Sequence, residues 1–210
     1  MESAIKLKKI PIDRAEALQK CQRCPALRHQ FSRLRRQYPD YWNLPVPGTG
    51  PEDAKLMILG LAPGLHGANR TGIPFVGDAS GNLLHKTLAK LELTDAVRIT
   101  NVLKCLPKQN KPSGAELGRC HRFLVPELEA FTDAGGQVIF ALGRVAHDRV
   151  LKSMDVPLAS RAFAHGAIHA LPGGLFLVDS YHCSRYNTQT GRLTETMFLE
   201  ALSAAARLAA

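Results

Sequence analysis

The stretch "AKLMILGLAPGLHGANRTGIPFVGDASGNLL" (residues 54–84) constrains the fold of this chain more than any other. Its first part, Ala54–Ala62, is a nearly continuous apolar run. Such a run reads as a strand buried on both faces, the situation of a parallel sheet covered by helices on each side. A loop holding Gly64, Gly67, Gly72, Gly77 and Gly81 follows, and then Ala79–Leu91, with Leu83, Leu84, Leu88 and Leu91 at helical spacing. Strand, loop and helix make one β-α unit, and the loop sits where open α/β sheets place their ligands, beyond the carboxyl end of a strand.

The unit recurs. Val97–Cys105 ("VRITNVLKC") reads as a second strand, and Ser113 opens a capping-box-like "SGAE" ahead of a helix running towards Phe131. Gly136–Gly143 reads as a third strand, followed by a short helix around Arg144–Lys152. In "GAIHALPGGLFLVDSYH" a Pro-Gly-Gly break separates two extended runs, which predicts a hairpin-like arm feeding a last core strand, Leu175–Ser180. Leu193–Leu208 closes the chain as an amphipathic helix. Repeated β-α units imply an α/β sandwich around a parallel sheet. The strand ends that gather on its ligand side are Leu61–Gly64, Asn101–Cys105 and His182–Ser184. The 210 residues are expected to form one domain, with residues 1–50, proline-rich near "NLPVPGTGP", as an appended basic segment.

A formal charge of +9 points to a polyanionic partner, and nucleic acid is the commonest inside a cell. The excess is concentrated in "RHQFSRLRRQY" (Arg28–Tyr38), a helix-compatible stretch that can lay several guanidiniums along a phosphate track. No apolar run reaches the roughly 20 residues needed to span a bilayer. The first residues are charged and lack the apolar core of a signal peptide, so a cytoplasmic protein is expected.

Five cysteines fall as "CQRC" (Cys21, Cys24), Cys105, Cys120 and Cys183. The basic surroundings of the close pair are not those of a thioredoxin-like redox motif. Cys105 at a strand end and Cys120 early in the next helix can complete a four-thiolate site, with Cys183 left over. Spacing alone does not choose between zinc and an iron–sulfur cluster, nor does it require that the four meet.

The turn "GLAPG" brings backbone N–H groups close to whatever the loop binds. The spacing G-x-G-x-x-G is absent and so is a Walker lysine, which excludes the common dinucleotide and P-loop motifs. In "GIPFVGD", Phe75 sits on a constrained turn and can serve as a platform for a flat ring or as core. Asp78 can cap the helix that begins at Ala79 or supply a carboxylate to chemistry.

Taken together, "GLAPG", "GIPFVGD", "ITNVLKC", "SYHCS" and the four cysteines resemble the uracil-DNA glycosylase superfamily in its iron–sulfur branches, over roughly Cys21–Glu195. "GLAPGLHGANRTG" and "NTQTGRLTE" are similar to family 5; family 4 carries a Glu where this chain has Leu61. The resemblance implies a three-layer α/β/α sandwich around a four-stranded parallel sheet. It also implies a structural [4Fe–4S] cluster on Cys21, Cys24, Cys105 and Cys120, tying the N-terminal segment to the domain. The implied activity is hydrolysis of the N-glycosidic bond of uracil, and of other deaminated bases such as hypoxanthine, after base flipping. The substrate is double-stranded DNA, with single-stranded DNA a further candidate, and the enzyme is expected to act as a monomer on the nucleoid.

The family pattern then distributes roles. Gly60, Leu61, Ala62 and Gly64 border the base, Phe75 stacks on it, Asn101 reads its edge, and His182 donates to uracil O2. Ser184, Arg185, Tyr186 and Asn187 are expected on the DNA, with Tyr186 as a wedge. Cys183 replaces the proline of the family's H-P-S motif, which removes a constraint on the loop that aims His182. Leu61, Ala62 and Pro63 offer no group to activate water, so Asp78 is the carboxylate of choice, with His66 in reserve. His165 and His169 are expected to be structural. The same lack of a polar residue in the first motif motivates one alternative, a non-catalytic member that binds damaged DNA; a second, a zinc-bound DNA-binding module without base excision, is distinguished by metal analysis.

Overall fold

A computed structural model describes residues 12–210; the expectations for the first eleven residues lie outside the described part. Five strands, β1 (Leu56–Gly60), β2 (Val97–Asn101), β3 (Val138–Leu142), β4 (Ile168–Ala170) and β5 (Phe176–Ser180), form one sheet in the order β2-β1-β3-β5-β4. The first four in that order run parallel, and β4 pairs antiparallel with β5. The expected four-stranded sheet is therefore present with one strand more, the outer arm of the predicted hairpin. β4 is three residues long with Ile168 and Ala170 exposed, so it carries no burial pattern of the kind that marks a core strand.

The described residues also form eight α-helices: α1 (Ile12–Gln19), α2 (Pro25–Gln37), α3 (Ala68–Thr71), α4 (Ala79–Lys90), α5 (Gly114–Asp133), α6 (Arg144–Ser153), α7 (Arg185–Gln189) and α8 (Glu195–Leu208). Period-2 alternation along the strands feeds two cores. Leu56, Ile58, Val138, Phe140 and Val178 pack with Leu84 and Leu88 of α4 and with Phe198 and Leu202 of α8. Met57, Leu59, Ile139, Ala141 and Leu177 pack on the other face with Leu124 and Phe131 of α5 and Val150 of α6. This is the three-layer α/β/α sandwich. Ser113 starts α5 through a complete capping box: its hydroxyl accepts from the Glu116 N–H, and the Glu116 carboxylate accepts from the Ser113 N–H.

Two buried polar groupings brace the frame. Lys104, just beyond β2, is fully buried; its ammonium pairs with Glu127 of α5 and donates to Thr100 Oγ1 at 2.7 Å. Asp179 of β5, also fully buried, accepts from His147 Nδ1 at 2.8 Å and from His169 Nε2 at 3.1 Å. His147 Nε2 meets the carbonyl of Arg161 at 3.0 Å, so only an imidazolium, donating from both nitrogens, satisfies its two acceptors. α2 docks on the segment after β2 through Phe31, Leu34 and Leu106.

Candidate active site and cysteine cavity

The chain leaves β1 for β2 on one side and later returns to β3 on the other, and the cleft opens at the carboxyl ends of these strands. A pocket of about 360 Å³ lies there, within the range of small-molecule sites. Leu61–Gly64 wall it from the end of β1, Phe75 and Asp78 from the glycine-rich loop, Ser80 from the first turn of α4, and Asn101 from the end of β2. His182 and Ser184 come from the loop after β5, and Pro107 and Asn110 from the loop after β2.

Glycines make room for this arrangement. Gly60 pairs with Asn101 across β1 and β2, and a Cβ on it would lie 2.4 Å from Asn101 Oδ1 and 2.5 Å from the Phe75 ring. The absence of that side chain leaves room for both the amide and the ring against the Gly60 backbone. Phe75 has φ 56°, in the left-handed region, and is nevertheless buried, an arrangement that costs backbone energy. Its carbonyl lies so near Gly81 that a Cβ there would stand 1.9 Å from it.

Asp78 divides its two oxygens. Oδ1 accepts from the Gly81 N–H at 2.9 Å and caps α4, while Oδ2 faces the loop, where a Cβ on Gly67 would fall 2.1 Å away. Capping and a pocket-facing carboxylate are thus compatible in one residue. His182 stacks beside Phe75, with centroids 6.1 Å apart and planes inclined by 28°. Burial lowers the pKa of His182, against the pull of the Asp78 charge, so the ring is neutral at pH 7. Two buried polar atoms of pocket-lining residues have no partner: Asn101 Oδ1 and His182 Nδ1. Unmatched buried polar groups are costly, and their presence in a cleft marks a place a ligand completes.

The loop of His182 is held by other means than a proline. Cys183 points into the core, 1 % exposed, and burial pushes its thiol up to about 12, which leaves it inert. Asn187 Nδ2 donates to the His182 carbonyl at 2.8 Å, so this side chain positions the loop. Ser184 caps α7, whereas Arg185 and Tyr186 are exposed, Tyr186 to 71 %. His66 is exposed with Nδ1 3.0 Å from Tyr41 Oη; His165 accepts from the Tyr181 N–H. Of the expected base-contacting residues only Gly60 does not line the pocket. Pro107 and Asn110 also line it, and no local signal marks the loop after β2 as part of the cleft; Ala68 of α3 and Ser80 of α4 join them from the glycine-rich segment.

On the far side of that loop, Cys21, Cys24, Cys105 and Cys120 line one cavity with Leu27, Phe31 and Phe123. None is disulfide-bonded. Burial raises the Cys105 pKa, and the neighbouring Cys120, Cys21 and Cys24 sulfurs raise it further. Burial pushes Cys120 up to about 11 against the pull of the Lys104 charge, and its sulfur accepts the Lys104 backbone N–H at 3.3 Å. A convergent set of four thiols with an N–H aimed at one sulfur suits a metal group that takes them as thiolates.

The sequence model of the uracil DNA glycosylase superfamily matches residues 47–206. A type-5 uracil-DNA glycosylase of Thermus thermophilus is 41% identical over 92% of this chain and 96% of its own length. One from Pyrobaculum aerophilum is 38% identical over 92% and 91%, respectively. A type-4 uracil-DNA glycosylase of Saccharolobus solfataricus is 30% identical over 88% of this chain and 81% of its own. With the α/β/α frame, the cleft at its strand ends and these matches in hand, the chain belongs to the uracil DNA glycosylase superfamily, on its type-5 branch.

Proposed function

We propose that this chain, a uracil-DNA glycosylase by family, releases uracil and other deaminated bases, hypoxanthine among them, from DNA by hydrolysis of the N-glycosidic bond. The observation that carries the reading is the pocket with two unpartnered buried atoms, Asn101 Oδ1 and His182 Nδ1, beside the Phe75 ring. A base inside a duplex is out of reach, so it is extruded into this pocket with its face on Phe75. Asn101 Oδ1 accepts the uracil N3–H while its amide nitrogen donates to O4. Hypoxanthine offers the same pair as N1–H and O6, and the apolar Leu61–Pro63 wall presents no polar group to reject the larger ring.

When the bond from C1′ to the base breaks, the electron pair leaves with the base and the sugar becomes cation-like. Neutral His182 donates to O2 as negative charge develops there, which is worth more in a desolvated cleft than in water. The free Oδ2 of Asp78 stabilises the cation and takes the proton of the water that adds to C1′. Arg185 and Tyr186 face the DNA, Tyr186 as a wedge in the gap left by the extruded nucleotide.

The cysteine cavity is assigned to a [4Fe–4S] cluster held by Cys21, Cys24, Cys105 and Cys120, in a structural role. The four thiols line one cavity, and the family resemblance favours a cluster over a single zinc ion. With the group bound, Cys21 and Cys24 before α2 would be tied to Cys105 in the segment after β2 and to Cys120 of α5. Broad absorption near 400 nm with iron and sulfide in equal amounts is expected; a colourless protein with one zinc per chain refutes the assignment.

The activity is tested with a labelled duplex carrying one U opposite G, followed by alkali to cut abasic sites. Scission well above that of a His182→Ala control is expected, and next the same with hypoxanthine. Binding without scission points to the damaged-DNA-binding alternative.

A further inference from the structure

Next to the pocket lies a second depression, a groove of about 530 Å³ between α2 and the loop after β2. Pro107 and Asn110 line both, so the two spaces adjoin across one turn of chain. Leu34, Leu65 and Leu106 form its apolar part, and Arg33 and Lys108 bring positive charge to it. Gln30 also lines the groove and is only 7 % exposed. Its Nε2 donates to the Leu106 carbonyl at 3.1 Å, and its Oε1 has no partner. This repeats the signature of Asn101 in the pocket: a buried amide oxygen at a concave surface, left for a donor the protein does not supply. The turn between the spaces is strained as well, since Gln109 (φ 51°) and Asn110 (φ 55°) both adopt left-handed backbone.

We propose that this groove holds a second nucleobase, that of the nucleotide next to the extruded one on the same strand. The three leucines cover its face, Gln30 Oε1 accepts an N–H from its edge, and Arg33 and Lys108 lie along the phosphates that link it to the pocket. Every DNA base carries an N–H on its Watson–Crick edge, so the groove demands a base without choosing among them. The same strand is favoured because the shared Pro107–Asn110 turn leaves the two spaces contiguous. The inference rests on the reading of the pocket as a site for an extruded base.

The test replaces each nucleotide flanking deoxyuridine, one at a time, with a tetrahydrofuran spacer that keeps the phosphates but lacks the base, and compares kcat/KM. A loss of about tenfold is expected at one flank and less than twofold at the other. Gln30→Leu, checked for an unchanged melting temperature, is expected to bring that difference within twofold. In parallel, 2-aminopurine at the sensitive flank, in DNA with a spacer in place of the deoxyuridine, is expected to brighten several-fold on binding wild-type protein as it leaves the stack. Losses under twofold at both flanks overturn the proposal, as does unchanged 2-aminopurine fluorescence, or a penalty that follows only a spacer in the opposite strand. Failure to release uracil from any of these DNAs overturns instead the reading of the pocket.

Discussion

Two aspartates serve histidines at the same end of the sheet, and they are arranged in opposite ways. Asp179 has both oxygens occupied, one by His147 and one by His169, and it is fully buried. Burial opposes charge on His147, but the hydrogen bond and charge of Asp179, with the Arg161 carbonyl, outweigh it and raise its pKa. Three residues beyond Asp179, His182 has its pKa lowered, an unpartnered Nδ1, and only the distant influence of Asp78 in its favour. Asp78 in turn keeps one oxygen for the α4 cap and one for the pocket. The satisfied group stabilises the frame; the unsatisfied one keeps hydrogen-bonding capacity at the cleft. Identical residue types are thus told apart by whether their hydrogen-bonding capacity is spent.

The sharpest test of this contrast is on the open side. His182→Ala is expected to lower kcat by about 10² to 10³, the range for removing one donor from a developing anion. Asp78→Asn is expected to cost well over tenfold with little change in melting temperature, because Asn caps a helix as well as Asp does. A loss within a few-fold assigns Asp78 to capping alone.

On the closed side the effect moves from rate to stability. Asp179→Ala leaves the His147 imidazolium buried without its partner, a loss of about 3–5 kcal/mol. For a domain of this size that lowers the melting temperature by roughly 10 °C. The folded fraction at 25 °C is expected to keep its turnover within a few-fold, and a large fall in kcat there erases the contrast.

Gly67→Ala probes the boundary between the two kinds of role. Its Cβ must displace Asp78 Oδ2, so kcat is expected to drop about tenfold while KM and the cap-dependent stability change little. pH separates the histidines with smaller effects. A raised pKa at His147 adds stability that is complete below about pH 6.5 and is lost as pH rises through its folded value. A lowered pKa at His182 has the other sign: stability falls as pH drops below about 6.5, where the unfolded chain takes up the proton first. Denaturant midpoints of wild type and His147→Gln are therefore expected to converge at high pH. Those of wild type and His182→Gln are expected to diverge only on the acid side. Tyr186→Ala gives the smallest effect, a few-fold loss on duplex DNA and less on single strands; equal losses on both remove the wedge.

Much of this was legible in the sequence where the signal is local. The β1–loop–α4 unit, the capping box at Ser113 and the strand ends that meet at the cleft follow from periodicity, turn chemistry and the rule that ligands gather at carboxyl ends. The resemblance carried by "ITNVLKC" and "SYHCS" then directed attention to Asn101 and His182, both of which line the pocket. The rest depends on contacts far apart along the chain. Nothing near His147 announces that Asp179, inside the apolar run "LFLVDS", will be its partner. Pro107 and Asn110 reach the pocket because α2 packs on Leu106 and folds that loop inward, a contact across more than seventy residues in the case of Gln30 and Leu106. The hairpin arm that becomes β4 is legible from its Pro-Gly-Gly break, but its place as a fifth strand of the sheet is not, because it is short and exposed. That Asp78 caps α4 with one oxygen and turns the other to the pocket is not legible either, because a residue's position in sequence does not say where each of its two oxygens points.

The pocket's walls are spread widely along the chain: Leu61–Gly64, Phe75, Asp78, Asn101 and Asn110 come before residue 111, whereas His182 comes from the loop after β5. Because β5 is paired with β3, a molecule in which that strand has come away from the sheet loses the His182 wall at once. The pocket is thereby tied to the closing of the sheet, and local opening at β5 is expected to dismantle it before the rest of the domain unfolds.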